Sequence, residues 1–188
     1  SMLYYFFSIK EKKNSYLFNH LNISKNIDAL KHQNKYPTIF ISLKDMKVPS
    51  MENQLLNFSS IIARLLDQFE DILDYDIFND REKTLLNKYH MGIASKNELA
   101  ESLLNISICL EKYYHQKVII DEYDVPLQSA YQNNYYDEMV DFLRSVFSSA
   151  LKTNDALEKG IMTGCLRISK ESIFTGLNNF TSYSILNN

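Results

Sequence analysis

The sequence predicts an α/β fold in which helices cover a parallel β-sheet. Three short segments, residues 38–43 (TIFISL), 117–121 (KVIID) and 160–163 (GIMT), are nearly continuous apolar runs, as expected of strands buried on both faces. Longer stretches with apolar residues at helical spacing separate them, and parallel strands require such crossover connections. The four glycines and three prolines are too few for a turn-rich β architecture. The 188 residues are expected to form one compact domain.

The first helices are predicted from apolar residues. Residues 2–7 (MLYYFF) form an apolar stretch with no capping residue before it, which resembles the middle of a helix. Between residues 55 and 73, apolar side chains recur every three or four positions, which predicts an amphipathic helix facing the core. Residues 10–33 are polar and indicate only short helical pieces.

The remaining helices are predicted from capping patterns as well. Gly92 is expected to end a helix over residues 81–90. A Ser-x-x-Glu capping box at Ser95 begins a helix that continues to residue 110. A further helix is predicted over residues 137–151, followed by the third strand and a weak fourth strand at 183–186.

Composition and charge exclude several classes of protein. A net charge of −3 gives no basic footprint for binding nucleic acid through its phosphates. Cys109 and Cys165 show no metal-binding or disulfide spacing, and we interpret them as buried thiols in a reducing cytoplasm. No apolar run reaches the roughly 18 residues that span a bilayer, and residues 1–9 do not resemble a signal peptide. We therefore expect a cytoplasmic protein without a membrane partner.

The candidate chemistry lies at the ends of the predicted strands, because ligands of open parallel sheets bind beyond the carboxyl ends of the strands. The second strand ends on Asp121 and Glu122, with Asp124 close behind. Unpaired carboxylates at a buried strand end are costly, and a bound Mg²⁺ ion would compensate them. In phosphoryl transfer one carboxylate holds the metal and another orients the attacking water, roles that fit Asp121 and Glu122 respectively. The end of the first strand, at Lys44 and Asp45, indicates no particular role.

Two longer blocks of sequence resemble the bacterial AAA-ATPase-like family. The first runs from residue 118 to 139 and contains VPLQSAY and YYDEM; the second runs from 159 to 180 and contains TGCLRISKESIFTGLNN. Members of this family pair an ATPase domain of the additional-strand, catalytic-glutamate type with a downstream nuclease-like domain of the PD-(D/E)xK type. The resemblance covers nearly the whole chain and implies a P-loop NTPase core that uses ATP and Mg²⁺.

The resemblance also implies roles for particular residues. Asp121 and Glu122 match the Walker B acid and the catalytic glutamate, on a strand over residues 118–122. Thr163, at the end of the next strand, matches the sensor position and is a cofactor-binding candidate together with Asp124. Arg167 lies where the family carries an arginine that reaches the triphosphate, in cis or from a neighbouring subunit. A plain strand-end hydroxyl at Thr163 and a surface ion pair at Arg167 are the structural alternatives.

The chain departs from the family at the phosphate-binding loop. Members begin with a strand, a glycine-rich loop ending in Gly-Lys-Ser/Thr, and a helix whose continuation resembles SMLYYFF. The loop needs glycines and a lysine around the phosphates, yet no glycine of this sequence precedes Lys-Ser/Thr. We therefore expect residues 1–188 to be a single partial domain without the first strand, the Walker A loop or the nuclease-like domain. Such a chain should be inactive alone, with nucleic acid bound only through the downstream domain.

Two other functions stay open. In the related fold the first strand lies between the strands at 160–163 and 183–186, so that its loss would expose a hydrogen-bonding edge. The chain would then be a non-catalytic assembly module that forms a homo-oligomer or a strand-swapped dimer. Alternatively, Asp121, Glu122 and Asp124 would serve a magnesium-dependent phosphohydrolase that uses no phosphate loop.

Overall fold

A computed structural model of the chain describes residues 1–44, 46–73, 76–123, 127–163 and 181. Its sheet has three parallel strands in the order β1-β2-β3, formed by Thr38–Ser42, Val118–Tyr123 and Leu157–Thr163. Helical segments connect β1 to β2 and β2 to β3, so the predicted α/β fold with a parallel sheet is confirmed. Asp121 of the middle strand pairs in register with Phe40 on one side and Ile161 on the other.

The strands lie where the apolar runs predicted them, with different lengths. β2 continues two residues past Asp121, and β3 begins three residues before Gly160. The start of β3 was not predicted because Glu158 and Lys159 are exposed, which breaks the apolar run. The predicted weak strand at 183–186 lies outside the described residues.

Eight α-helices and three 3₁₀-helices are present in the described parts of the chain. The α-helices are α1 (Met2–Phe7), α2 (Ile27–Leu30), α3 (Met51–Asp67), α4 (Asp80–His90), α5 (Lys96–Ala100), α6 (Ser102–Tyr114), α7 (Leu127–Gln132) and α8 (Tyr136–Leu151). The 3₁₀-helices span Ile9–Phe18, Asn22–Lys25 and Glu70–Ile72. Helix α7 was not predicted, whereas the helices expected over 81–90 and 137–151 are confirmed.

The ends of the first long helix correct the sequence prediction. Helix α3 begins after Ser50, whose side chain accepts from the Asn53 amide, and it ends at Asp67 rather than near residue 73. Phe69 leaves the helical conformation with φ −127° and ψ 38°, but it stays buried. Buried residues beyond the helix therefore continued the apolar spacing. At α1, the Ser1 side chain accepts from the Leu3 amide, so that the capping residue thought to be absent is Ser1 itself.

The helix expected from Ser95 to residue 110 is in fact two helices. The chain breaks at Glu101, with φ −99° and ψ 1°, and the Ser102 hydroxyl donates to the carbonyl oxygen of Leu99 at 2.7 Å. The predicted capping box is confirmed, because Ser95 accepts from the Glu98 amide and Glu98 accepts from the Ser95 amide. The predicted helix end at Gly92 is also confirmed.

The core lies between the sheet and the helices α3, α4, α6 and α8. The rings of Phe58 and Phe142 meet edge to face at 5.2 Å, and both residues are buried. Burying each such side chain contributes about 2 kcal/mol. Cys109 is buried in this core, as predicted, and burial raises the pKa of its thiol to about 12. Cys165 lies outside the described residues. Among the described helices, none is long and apolar enough to cross a membrane.

Candidate functional site

Asp121 is a buried carboxylate near the carboxyl end of the middle strand. It is 1% exposed, although Asp is among the residues least often buried without a partner. Its Oδ2 atom has no hydrogen-bond partner among the described residues. Burial raises the pKa of the Asp121 carboxyl group, and a hydrogen bond with Ser1 and the nearby terminal amine oppose this only in part. The described groups thus compensate the buried charge of the Asp121 carboxylate only in part.

The contact between Asp121 and Ser1 brings the start of α1 to the candidate site. Helix α1 packs against β1 and β2, and Ser1 hydrogen-bonds both the Leu3 amide and the Asp121 carboxyl group. Sequence patterns do not reveal this contact, because Ser1 and Asp121 are distant in the chain.

Two further predicted site residues, Glu122 and Thr163, lie at the same edge of the sheet. Glu122 is next to Asp121 on β2 and pairs in register with Ile41 and Met162. Thr163 is the last residue of β3 and pairs with Tyr123. The backbone therefore places the Asp121, Glu122 and Thr163 positions together at the carboxyl edge. Asp124, Arg167 and Asp45 lie outside the described residues, so their predicted roles stay untested.

A buried hydrogen-bond network holds the loop between β1 and α3 beside this edge. The Gln54 Nε2 atom donates to the Met46 carbonyl oxygen at 2.9 Å and to the Tyr135 hydroxyl oxygen at 2.8 Å. The Tyr135 hydroxyl donates to the Val48 carbonyl oxygen at 2.5 Å, and the Ser129 hydroxyl reaches the same carbonyl at 3.3 Å. The loop after β1 is thereby fixed to α7 and α8, which follow β2.

Sequence reasoning missed this network, although one signal was present. Gln54 lies four positions before Phe58 and thus on the buried face of α3, where a polar side chain needs a partner. The identity of that partner, Tyr135, follows only from the fold.

A single buried carboxylate with a free oxygen fits one protein ligand of Mg²⁺. This ion usually keeps several waters and binds through one or two carboxylates together with substrate phosphates. No group of three or more His, Cys, Asp or Glu side chains that could hold a metal occurs in the described part of the chain. Asp121 is therefore the one predicted metal ligand whose surroundings the structure shows.

A parallel sheet whose middle strand ends beside a buried carboxylate is consistent with a P-loop-like core. The model of the AAA-ATPase-like family, described as predicted AAA-ATPase, matches residues 1–174. The chain belongs to this family, as the two sequence blocks predicted. No curated protein and no solved structure matches it.

Proposed function

We propose that this chain carries the residues of an AAA-type ATPase site that bind magnesium and act on the attacking water. Asp121 would hold the ion and Glu122 would act on the attacking water. The observation that supports this most directly is the buried Asp121 carboxyl group, whose Oδ2 atom has no partner among the described residues. Family membership supports ATP as the nucleotide.

The energetics of Asp121 favour a cationic ligand. A carboxylate removed from water costs several kcal/mol in practice unless a cation or several hydrogen bonds compensate it. The hydrogen bond with Ser1 leaves the pKa of Asp121 raised, so this compensation is incomplete. Such unfavourable burial is common where a residue serves a ligand instead of the fold.

Each proposed role follows from the needs of phosphoryl transfer. When bound, Mg²⁺ neutralises charge on the phosphate oxygens. Glu122 accepts the proton of the attacking water and orients that water toward the γ-phosphate. Thr163, two residues beyond the position that pairs with Asp121, would contact the water or the phosphate, and Asp124 would help to bind the cofactor. Arg167 would stabilise charge on the triphosphate, in its own chain or in a neighbouring one.

ATP binding also requires a phosphate-binding loop, and these 188 residues contain no Gly-Lys-Ser/Thr sequence. Family members carry that loop directly before the helix that α1 resembles. We propose that a phosphate-binding loop placed directly before α1 completes this site, since Ser1, the N-cap residue of α1, contacts Asp121. The 188-residue chain alone is then expected to bind ATP weakly and not to hydrolyse it.

The proposal can be tested by comparing this chain with one extended at the amino terminus through a phosphate-binding loop. Calorimetry with Mg²⁺ and ATP should show binding to the extended chain, and Asp121→Asn should weaken it. Glu122→Gln should keep the binding but lower the hydrolysis rate by about 100-fold or more. Glu158→Gln is the matched control, because Glu158 is an exposed carboxylate on β3. Hydrolysis unaffected by Glu122→Gln would refute the proposal.

The two alternative functions stay predictions with different outcomes. A phosphohydrolase without a phosphate loop should bind Mg²⁺ tightly in the absence of nucleotide, whereas an ATPase site holds the ion largely through the phosphates. A non-catalytic assembly module should bind neither ATP nor Mg²⁺ in either chain.

A further inference from the structure

Charge is distributed unevenly along this chain. Residues 1–37 contain six lysines and two acidic residues, a net charge of +4. Because the whole chain carries −3, the remaining residues carry −7. A basic first segment joined to an acidic body presents two surfaces of opposite sign.

The basic surface lies on the first 3₁₀-helix and is formed by Lys12, Lys13, Tyr16 and Leu17. All four residues are exposed, with Tyr16 at 61% and Leu17 at 50%. Neither lysine has a carboxylate at ion-pair distance in the part of the chain that the structure describes. Lys10 differs, since it pairs with Asp71 at 2.6 Å. The basic surface thus combines unpaired lysines with exposed apolar side chains.

The acidic cavity lies where α7 meets α8 and has a volume of about 470 Å³. Its lining consists of Tyr131, Asn134, Tyr135, Tyr136, Asp137 and Glu138. Tyr131 is 75% exposed, and its ring meets that of Tyr136 edge to face at 6.1 Å. Asp137 and Glu138 are exposed, and no ion pair engages them among the described side chains.

The helix dipole alone can account for the two acidic residues in the first turn of α8. Acidic residues stabilise the first turn of a helix, so Asp137 and Glu138 would be favourable without any ligand. The exposed Tyr131 adds an aromatic ring beside these two carboxylates. Aromatic rings beside carboxylates are suited to a lysine or arginine, which gains both an ion pair and a cation–π contact.

The two surfaces lie at opposite edges of the sheet. The Ile9 amide donates to the Tyr36 carbonyl oxygen at 2.9 Å, and Tyr36 lies two residues before β1 begins at Thr38. The 3₁₀-helix that carries the basic surface therefore starts near the amino edge. Helix α8 begins after the carboxyl end of β2 and leads back to the start of β3, so the acidic cavity lies near the carboxyl edge. Their positions near different ends of the strands favour contact between two copies over contact within one chain.

We propose that this chain associates head to tail, with Lys12 and Lys13 of one copy entering the acidic cavity of the next. The lysines would approach Asp137 and Glu138, while Tyr16 and Leu17 pack against Tyr131. Such a contact uses two different surfaces, so it leaves one of each free at the ends of a dimer and allows further copies to join. Because the attraction is between exposed charges, added salt should weaken it.

Sedimentation velocity over a wide concentration range, at low and high salt, tests the proposal on the 188-residue chain. The wild type should form dimers and larger species at low salt. The double variants K12E/K13E and D137K/E138K should each lower the association constant by about tenfold or more. The control K96E/K152E changes net charge as much as K12E/K13E but alters exposed lysines outside both surfaces, and it should associate like the wild type.

Mixing the two charge-reversed variants provides the decisive measurement. Each variant alone presents like charges to its own copies, whereas the mixture pairs opposite charges again and should regain association. Circular dichroism melts confirm that each variant is folded. A wild type that stays monomeric at the highest concentration overturns the proposal, and so does a mixture that associates no better than its components. An equal loss of association in K96E/K152E would also overturn it, because the effect would then be one of net charge.

Discussion

The side-chain amide of Gln54 donates a hydrogen bond of 2.8 Å to the hydroxyl oxygen of Tyr135, a residue 81 positions further along the chain. The same hydroxyl donates to the Val48 carbonyl oxygen, so the pair binds the loop after β1 to the start of α8. Helix α8 in turn follows the β2 end that carries Asp121 and Glu122. The Gln54–Tyr135 contact thereby joins the loop that follows β1 to the segment that follows β2.

Replacing Tyr135 by Phe tests how much this contact contributes to the stability of the fold. The change removes one hydroxyl and leaves the Val48 carbonyl and a Gln54 N–H group short of a partner, which should cost about 2 kcal/mol. Urea denaturation of the wild type and the variant measures the loss. Tyr131→Phe is the matched control, since Tyr131 is exposed and should change the free energy of unfolding by less than about 0.5 kcal/mol. Equal losses in both variants would show that the buried Tyr135 hydroxyl contributes no more to the free energy of unfolding than the exposed Tyr131 hydroxyl does.

The sequence predicted the elements of this fold well where a local rule applied. Apolar runs located the three strands that the structure describes, and local capping patterns located the helix end at Gly92 and the helix start at Ser95. The break at Glu101 was missed because the apolar spacing continues through it, and a side-chain bond from Ser102 is invisible to that spacing. Local sequence patterns identify single helices and strands. A break within a helix depends instead on which backbone groups form hydrogen bonds with other partners, such as a side chain.

The candidate site could likewise be predicted from the sequence only where the signal is local. Asp121 was identified from an apolar run that ends in carboxylates, and its burial agrees with that interpretation. Its contact with Ser1 and the Gln54–Tyr135 network join residues that are far apart in sequence. Such pairs have no local signal, because only the order and direction of the strands bring them together.

Two glycines should respond differently to substitution by alanine. Gly92 has φ +70° and ends α4: its amide donates to the Tyr89 carbonyl oxygen, and the next amide donates to that of Lys88. Gly92→Ala should therefore cost about 1 kcal/mol through backbone strain, although an added Cβ would have space. Gly92→Asn should cost less, because Asn tolerates this conformation.

Gly160 lies within β3 at an ordinary φ, and an added Cβ would approach the Leu151 Cδ2 atom at 2.5 Å. That atom ends a flexible side chain and can move, so Gly160→Ala should be nearly neutral. Chemical denaturation of all three variants checks the ranking. A larger loss for Gly160→Ala than for Gly92→Ala would show that packing against Leu151 outweighs backbone strain.

Glu98 should make the stability of the chain depend on pH in the acidic range. A hydrogen bond from Lys88, followed by those from Ser95, lowers the pKa of this carboxyl group from 4.5 to about 2. A lowered pKa means that the contribution is complete above pH 4.5 and is lost as the pH falls toward 2. Melting temperatures across this range should fall more steeply for the wild type than for Glu98→Gln. Glu101→Gln, which removes an exposed carboxylate nearby, should keep the wild-type slope; if it does not, the slope has another origin.

Asp121 should show the opposite dependence on pH, because burial raises its pKa above the ordinary value of 3.8. The folded chain then binds the proton more tightly than the unfolded chain, so stability falls as the pH rises from 3.8 toward the raised pKa. Asp121→Asn removes this dependence and should stabilise the metal-free chain at neutral pH by about 1 kcal/mol, with no gain below pH 3.8.

Thermal melts at acidic and neutral pH measure both effects of this substitution, and the exposed Glu158→Gln should alter neither. If Asp121→Asn instead destabilises the chain at neutral pH, Ser1 and the terminal amine stabilise the Asp121 carboxylate by more than its burial costs, and the carboxylate does not need a metal ion. A gain confined to neutral pH would mean that the fold tolerates an unfavourable carboxylate at the end of its middle strand, as a ligand-binding site requires.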